Sequence, residues 1–192
     1  MSPSRLEAFS DGVSAVLITI MVLDLRSPEG ADLASLAPLI PVFASYVSSF
    51  IVIGIYWNNH HHLLRATKSI NANTMWANLH LLFWLSMIPF TTSWLGDHFG
   101  AAWPTAVYGL SLFMPGLAFR FLLSSIIGHH GRDSAIASAV GSDFKGYASL
   151  VLYLTGIALA FFLPWVSYAL YAGVAIVWFI PDRRVEPIAK NE

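Results

Sequence analysis

Two clusters of polar and ionisable side chains stand at the ends of apolar runs. The first, Arg5-Leu6-Glu7-Ala8-Phe9-Ser10-Asp11, leads straight into Gly12-Val13-Ser14-Ala15-Val16-Leu17-Ile18-Thr19-Ile20-Met21-Val22-Leu23. The second is Trp57-Asn58-Asn59-His60-His61-His62. An ionisable residue at membrane depth is costly, so it normally faces a bundle interior, a partner or a water-filled path. Asp11 is therefore a candidate functional group. Three consecutive histidines raise the question of a metal, since imidazole is the commonest ligand. Their spacing argues against one. Neighbours on a helix point about 100° apart, a chelating pair needs i, i+4, and no carboxylate or further His lies nearby in sequence. His80 belongs to another apolar run and would have to approach from there. We expect no metal site at His60 to His62, which instead hydrogen-bond into a network with Arg5, Ser10 and Asp11 or face water.

Other chemistries find little support. The chain has no cysteine, which excludes disulfides, thiolate metal sites, Cys nucleophiles and iron-sulfur clusters. There is no G-x-S-x-G, H-E-x-x-H or phosphate loop, so we expect neither an enzyme nor a cofactor. The net charge of -1 and the absence of a Lys/Arg run give no reason to expect nucleic acid as a partner.

The elements that must position these residues are membrane helices. Apolar residues make up 56% of the 192-residue chain and charged ones only 11%, against about a quarter charged in soluble domains. Mean hydropathy is +0.63. Crossing a core of about 30 Å takes roughly 20 helical residues, and six segments qualify: Leu6 to Leu25; Leu33 to Leu64, with Pro38 and Pro41 near its start; Thr74 to Leu95; Pro104 to Ile127, bent at Pro115; and two parts of Phe144 to Ile180, divided by Pro164. The last is short. Gly96 to Gly100 reads as a turn, and Gly128 to Asp143 as a solvent loop. No internal repeat is evident, and residues 1–192 read as a single all-α, polytopic membrane domain. Glu7 and Asp11 interrupt the first segment and no A-x-A-like site follows, so it is not a cleavable signal peptide. Six crossings put both termini on one side. Arg5, Arg65, Lys68, Arg132, Lys145, Arg183, Arg184 and Lys190 fall on that side, whereas the opposite loops carry only Arg26. The positive-inside rule makes that side cytoplasmic, and the plasma membrane is the expected location. Trp57, Trp76, Trp94, Trp103 and Trp165 fall near predicted span ends, where amphipathic rings favour the interface. Arg120, inside the fourth segment, either meets an acid such as Asp143 or snorkels.

The first segment is the least lipid-like of the six. At about 100° per residue, Gly12, Val16, Thr19, Ile20 and Leu23 share one sector, while Ser10, Asp11 and Ser14 cluster away from it. The polar face suits packing within the subunit. The stripe suits either ordinary interhelical packing or stacked rings around a symmetry axis. Spacing leaves both readings open, and Arg5 and Asp11 have a bland reading too, as structural partners of other helices.

Arg5-x-x-x-Phe9-Ser10-Asp11, followed by Gly12 and an apolar helix with Thr19, resembles the R-x-x-x-F-S-D signature of the transmembrane protein 175 family of potassium channels. Trp57-Asn58-Asn59-His60-His61 and Leu85-Ser86-Met87-Ile88-Pro89-Phe90 resemble its prokaryotic, single-repeat members, and the likeness covers about the first hundred residues. The resemblance implies a six-helix subunit without the T-V-G-Y-G filter of ordinary potassium channels, four subunits surrounding an axis lined by the first helix. By position after Phe-Ser-Asp, it implies a pore constriction at Val16, Ile20 and Leu23, with Thr19 beside them. It further implies that Arg5, Phe9, Ser10 and Asp11 join Trp57, His60 and His61 in a hydrogen-bonded network that holds the pore helix. Such an apolar ring can gate by dewetting, and without carbonyls to replace the hydration shell it would prefer potassium only modestly.

The expected function is therefore a potassium-preferring cation channel in a lipid bilayer, its subunits a homotetramer. The alternative is a proton-coupled secondary transporter with Asp11 and the histidines as relay, although inverted repeats and broken midplane helices are not evident. A membrane hydrolase or metal enzyme built on His60 to His62 ranks last.

Overall fold

Proline sets several of the helix boundaries. The computed structural model describes residues 2–131, 133–141 and 143–179. Helix α1 (Pro3–Met21) and helix α8 (Pro164–Phe179) each begin on a proline, where the missing N–H costs no hydrogen bond and the fixed φ suits the first turn. A 3₁₀ turn, Val22–Asp24, ends α1, and a 3₁₀ segment, Leu33–Leu39, containing Pro38, leads into α2 (Ile40–Arg65), which has Pro41 in its first turn. Asp32 caps the 3₁₀ segment, and its hydrogen bonds from Ser35 hold this exposed carboxyl below the usual carboxylate range.

The single helix expected from Thr74 to Leu95 is instead two, α3 (Ala72–Ser86) and α4 (Ile88–Asp97), parted at Met87. The cause is Pro89, which cannot donate to the carbonyl four residues back and whose ring crowds it. The apolar run is unbroken, so hydropathy alone does not register the break. Helix α5 (Ala102–His130) stays helical through Pro115. Gly128 to Asp143 is not simply a solvent loop. Helix α5 extends into it, and a short α6 (Ala135–Val140), capped by Ser134, buries Ile136 in the core. Helix α7 (Phe144–Leu159) completes the chain before α8. Arg132, Ile180, Arg183, Arg184 and Lys190 lie outside the described residues.

Among the described residues, three helical segments are long and apolar enough to cross a membrane: Pro3–Asp24, Leu33–Arg65 and Ala102–His130. Helix α7 and the described part of α8 have 16 residues each, roughly 24 Å at 1.5 Å per residue. Helix α5 is the centre of the bundle. It packs against α3, α4, α7 and α8, while α2 packs against α1, α4 and α8. Ala118, Leu122 and Ile126 of α5 are fully buried among Leu81, Leu85, Ile88 and Val174.

Lipid offers no hydrogen bonds, so buried hydroxyls must satisfy one another or the backbone. Ser49 Oγ lies 2.7 Å from Thr92 Oγ1 and 3.0 Å from Tyr108 Oη, and Thr91 pairs with Ser111 at 2.7 Å. These bonds join α2, α4 and α5. Tyr171 of α8 reaches between α5 and α7 because Gly109 and Gly156 present no side chain there; an added methyl at either would overlap its ring or hydroxyl. Arg120 is paired with Asp143, and its guanidinium carbon sits 3.6 Å from the Tyr147 ring centroid. Asp143 also caps α7 through the Gly146 N–H.

Candidate functional site

Helix α1 is divided lengthwise. Leu6, Ser10, Ser14, Leu17 and Met21 are buried against the rest of the subunit. On the other side, Phe9, Val16 and Ile20, and Leu23 in the 3₁₀ turn that follows, are 50%, 59%, 47% and 76% exposed, and Gly12, Ala15 and Thr19 are exposed with them. Thr19 turns its hydroxyl back onto its own helix, 2.9 Å from Ala15 O and 3.0 Å from Val16 O. Its donor is thus spent locally, and a nearly apolar stripe results, uncovered over about three turns.

The buried side is held by hydrogen bonds to α2 and α3. The Trp57 indole donates to Asp11 Oδ1 at 2.9 Å. Ser10 Oγ donates to Leu6 O at 2.8 Å and accepts from Asn78 Nδ2 at 3.0 Å. His60 Nε2 lies 2.6 Å from Asn78 Oδ1, and since an amide oxygen can only accept, Nε2 carries the proton. Asn78 is wholly buried and His60 nearly so. One amide therefore ties three helices together. On the adjoining surface His61 Nδ1 approaches Glu7 Oε1 to 2.7 Å, the Trp57 ring stacks beside His61, and Arg65 Nε stands 3.9 Å from the same Glu7 oxygen.

The structure thus brings Ser10, Asp11, Trp57, His60 and His61 to one region of α1. It does not bring Arg5 or Phe9 there. Both side chains are exposed, and Arg5 makes no side-chain hydrogen bond or ion pair among the described residues. His80 does not join the other histidines; it accepts from the Trp84 indole at 2.9 Å.

Two participants were not anticipated. Asn78 is an isolated amide in the apolar run of α3, four residues after buried Thr74 and on the face that carries Leu81, Leu82 and Leu85. A buried polar residue on an apolar face is a signal, but its partners on α1 and α2 are invisible in sequence. Glu7 is four residues before Asp11, hence on the same side of α1, and that spacing could have placed it.

The family model described as "Endosomal/lysosomal potassium channel TMEM175" matches residues 5–89, the part of the chain that holds the whole network. A protein of a Chryseobacterium species named "Potassium channel" is 50% identical over 191 residues, covering 100% of both chains. The human protein named "Endosomal/lysosomal proton channel TMEM175" is 34% identical over 96 residues, which are 43% of this chain and 19% of that one. The fold is similar to the crystal structure of "a lysosomal potassium-selective channel TMEM175 homolog" from Chamaesiphon minutus, with a TM-score of 0.82 and 27% identity over 94% of this chain and 97% of the other. Family model, full-length relative and fold agree: the chain belongs to the TMEM175 family.

Proposed function

We propose that this chain is one subunit of a passive, potassium-preferring cation channel whose pore is lined by α1. The reading rests above all on the division of α1: one side is anchored by Trp57, His60, His61 and Asn78, and the other carries Val16, Thr19, Ile20 and Leu23 outward, uncovered by the chain's own helices. A helix so firmly fixed, with a narrow apolar stripe facing away, is suited to meeting its own copies at an axis. In a homotetramer, Val16, Ile20 and Leu23 would form stacked apolar rings, a constriction that passes ions when it widens enough to stay wet. The relatives named potassium channels support the choice of ion. Without carbonyl oxygens to replace the hydration shell, preference for potassium over sodium is modest.

The same account treats residues 1–192 as one channel domain of six crossings, α3 and α4 together making the third, with both termini cytoplasmic in the plasma membrane. The Arg5, Phe9, Ser10 and Asp11 signature serves as the frame of the pore helix, Arg5 and Phe9 acting across the subunit boundary. A proton relay through Asp11 and the histidines is less well supported. Asp11 Oδ1 meets the Trp57 indole and His60 the Asn78 amide, neither of which exchanges a proton near neutral pH, which leaves the His61–Glu7 pair, 2.7 Å apart, as the one link of this cluster with titratable groups at both ends.

Purified protein in liposomes is accordingly expected to release potassium down its gradient, with a protonophore supplying charge balance. Flux that is absent, or that needs an obligatory counter-ion and shows carrier kinetics, would overturn the channel reading.

A further inference from the structure

The three histidines in a row do not gather around a common point, yet one of them meets two carboxylates from another helix. Glu7 and Asp11, at i and i+4 on α1, and His61 on α2 each present a ligand atom, and these atoms all lie within 4.8 Å of one another. Two like charges at i, i+4 repel. The arginine that pairs with them is a poor match, since Arg65 Nε stands 3.9 Å from Glu7 and its side chain is 61% exposed. His61 Nδ1 is itself buried and, despite lying 2.7 Å from Glu7 Oε1, lacks the approach angle of a hydrogen bond. Two carboxylates and an imidazole nitrogen converge where positive charge is short.

We propose that Glu7, Asp11 and His61 bind a zinc-class divalent transition metal that clamps the start of α1 to α2. Nitrogen and oxygen donors of this mix suit Zn²⁺, and three protein ligands leave a fourth position for water. Ligand atoms around tetrahedral zinc stand about 3.4 Å apart given bonds of ~2.1 Å, so small side-chain rotations close the set. Asp11 keeps one oxygen for the Trp57 indole and offers the other. The partial exposure of all three residues provides a route of entry. The site belongs to the α1–α2 contact within one chain and does not depend on the pore reading.

Calorimetric titration of the full chain in detergent with Zn²⁺ tests it. One ion per chain is expected, with affinity at least tenfold weaker in Glu7→Gln and in His61→Gln and unchanged in His62→Gln. Because the chain has no native cysteine, Glu7→Cys offers a gain of signal: Co²⁺ should produce thiolate-to-cobalt charge-transfer absorption, abolished when His61→Gln is added. Should a variant fail to fold, the wild-type chain is read with Co²⁺, whose visible absorption must be displaced by one equivalent of Zn²⁺. No binding by the wild type, or affinity indifferent to both Glu7→Gln and His61→Gln, overturns the proposal.

Discussion

Ile20→Asn and Leu23→Asn are expected to raise cation conductance several-fold at unchanged protein yield. If α1 lines an axis, each substitution places one amide per subunit in an apolar ring and eases its wetting. If the stripe is instead buried in a dry helix–helix contact, the amide is left unsatisfied at a cost of about 1–3 kcal/mol per site, and assembly suffers. Both positions are substantially exposed on the isolated subunit, so the chain's own fold should tolerate either change. Val16→Asn tests the first ring in the same way. Leu152→Asn on α7, 38% exposed and away from α1, is the control for a polar group placed outside the pore. Yield and current must be measured together. Higher current at normal yield supports the rings; lost yield without a gain at any of the three positions would refute them.

Asn78→Leu is the second large effect. The side chain is fully buried and uses both ends of its amide, donating to Ser10 on α1 and accepting from His60 on α2. Leucine is close in size but leaves the His60 Nε2–H buried without an acceptor, a loss of about 1–3 kcal/mol, or roughly five- to 150-fold in the folding equilibrium. Ser10 keeps its bond to Leu6 O and is the less affected partner. Asn78→Asp retains the acceptor for His60 but gives up the donor to Ser10 and places an ionisable carboxyl at a fully buried position, so its melting temperature should also fall below that of the wild type. Reduced current per recovered channel should accompany the lower melting temperature, because a loosened α1 no longer holds its stripe in register. A melting temperature and current in Asn78→Leu equal to wild type would show that this amide does not position the helix.

Much of the arrangement could be read from residue order alone. The 100° arithmetic on α1 separates Ser10 and Ser14 from Val16, Thr19, Ile20 and Leu23, and the structure buries the first pair and exposes the second group. Pro164 divides the last apolar run as expected, and Arg120 meets Asp143. What escaped has physical reasons. Hydropathy averages over a window, so a single missing N–H at Pro89 disappears within an apolar stretch that α3 and α4 share. The apolar residues of α6 are few and lie between polar flanks, which give the whole connector the composition of a loop. Glu7 and Asp11 approach His61 from a different helix, a meeting that the sequence around the histidines does not disclose. Hydrogen bonds spanning 68 and 18 residues, like those of Asn78, have no local periodicity to betray them.

Arg5 and Phe9 illustrate a different limit of local reasoning. Both belong to the signature at the start of α1, yet within one chain they face outward. Local reasoning on the signature does not say which of its residues the subunit's own helices cover, and these two they leave open.

The most direct test of the channel account is a planar-bilayer recording of the purified protein under opposed potassium and sodium gradients. The account predicts resolvable unitary currents that reverse between zero and the potassium equilibrium potential, displaced toward potassium by a modest selectivity. Reconstituted protein that gives no unitary current, or that moves potassium only at carrier rates coupled to a second ion, would contradict it.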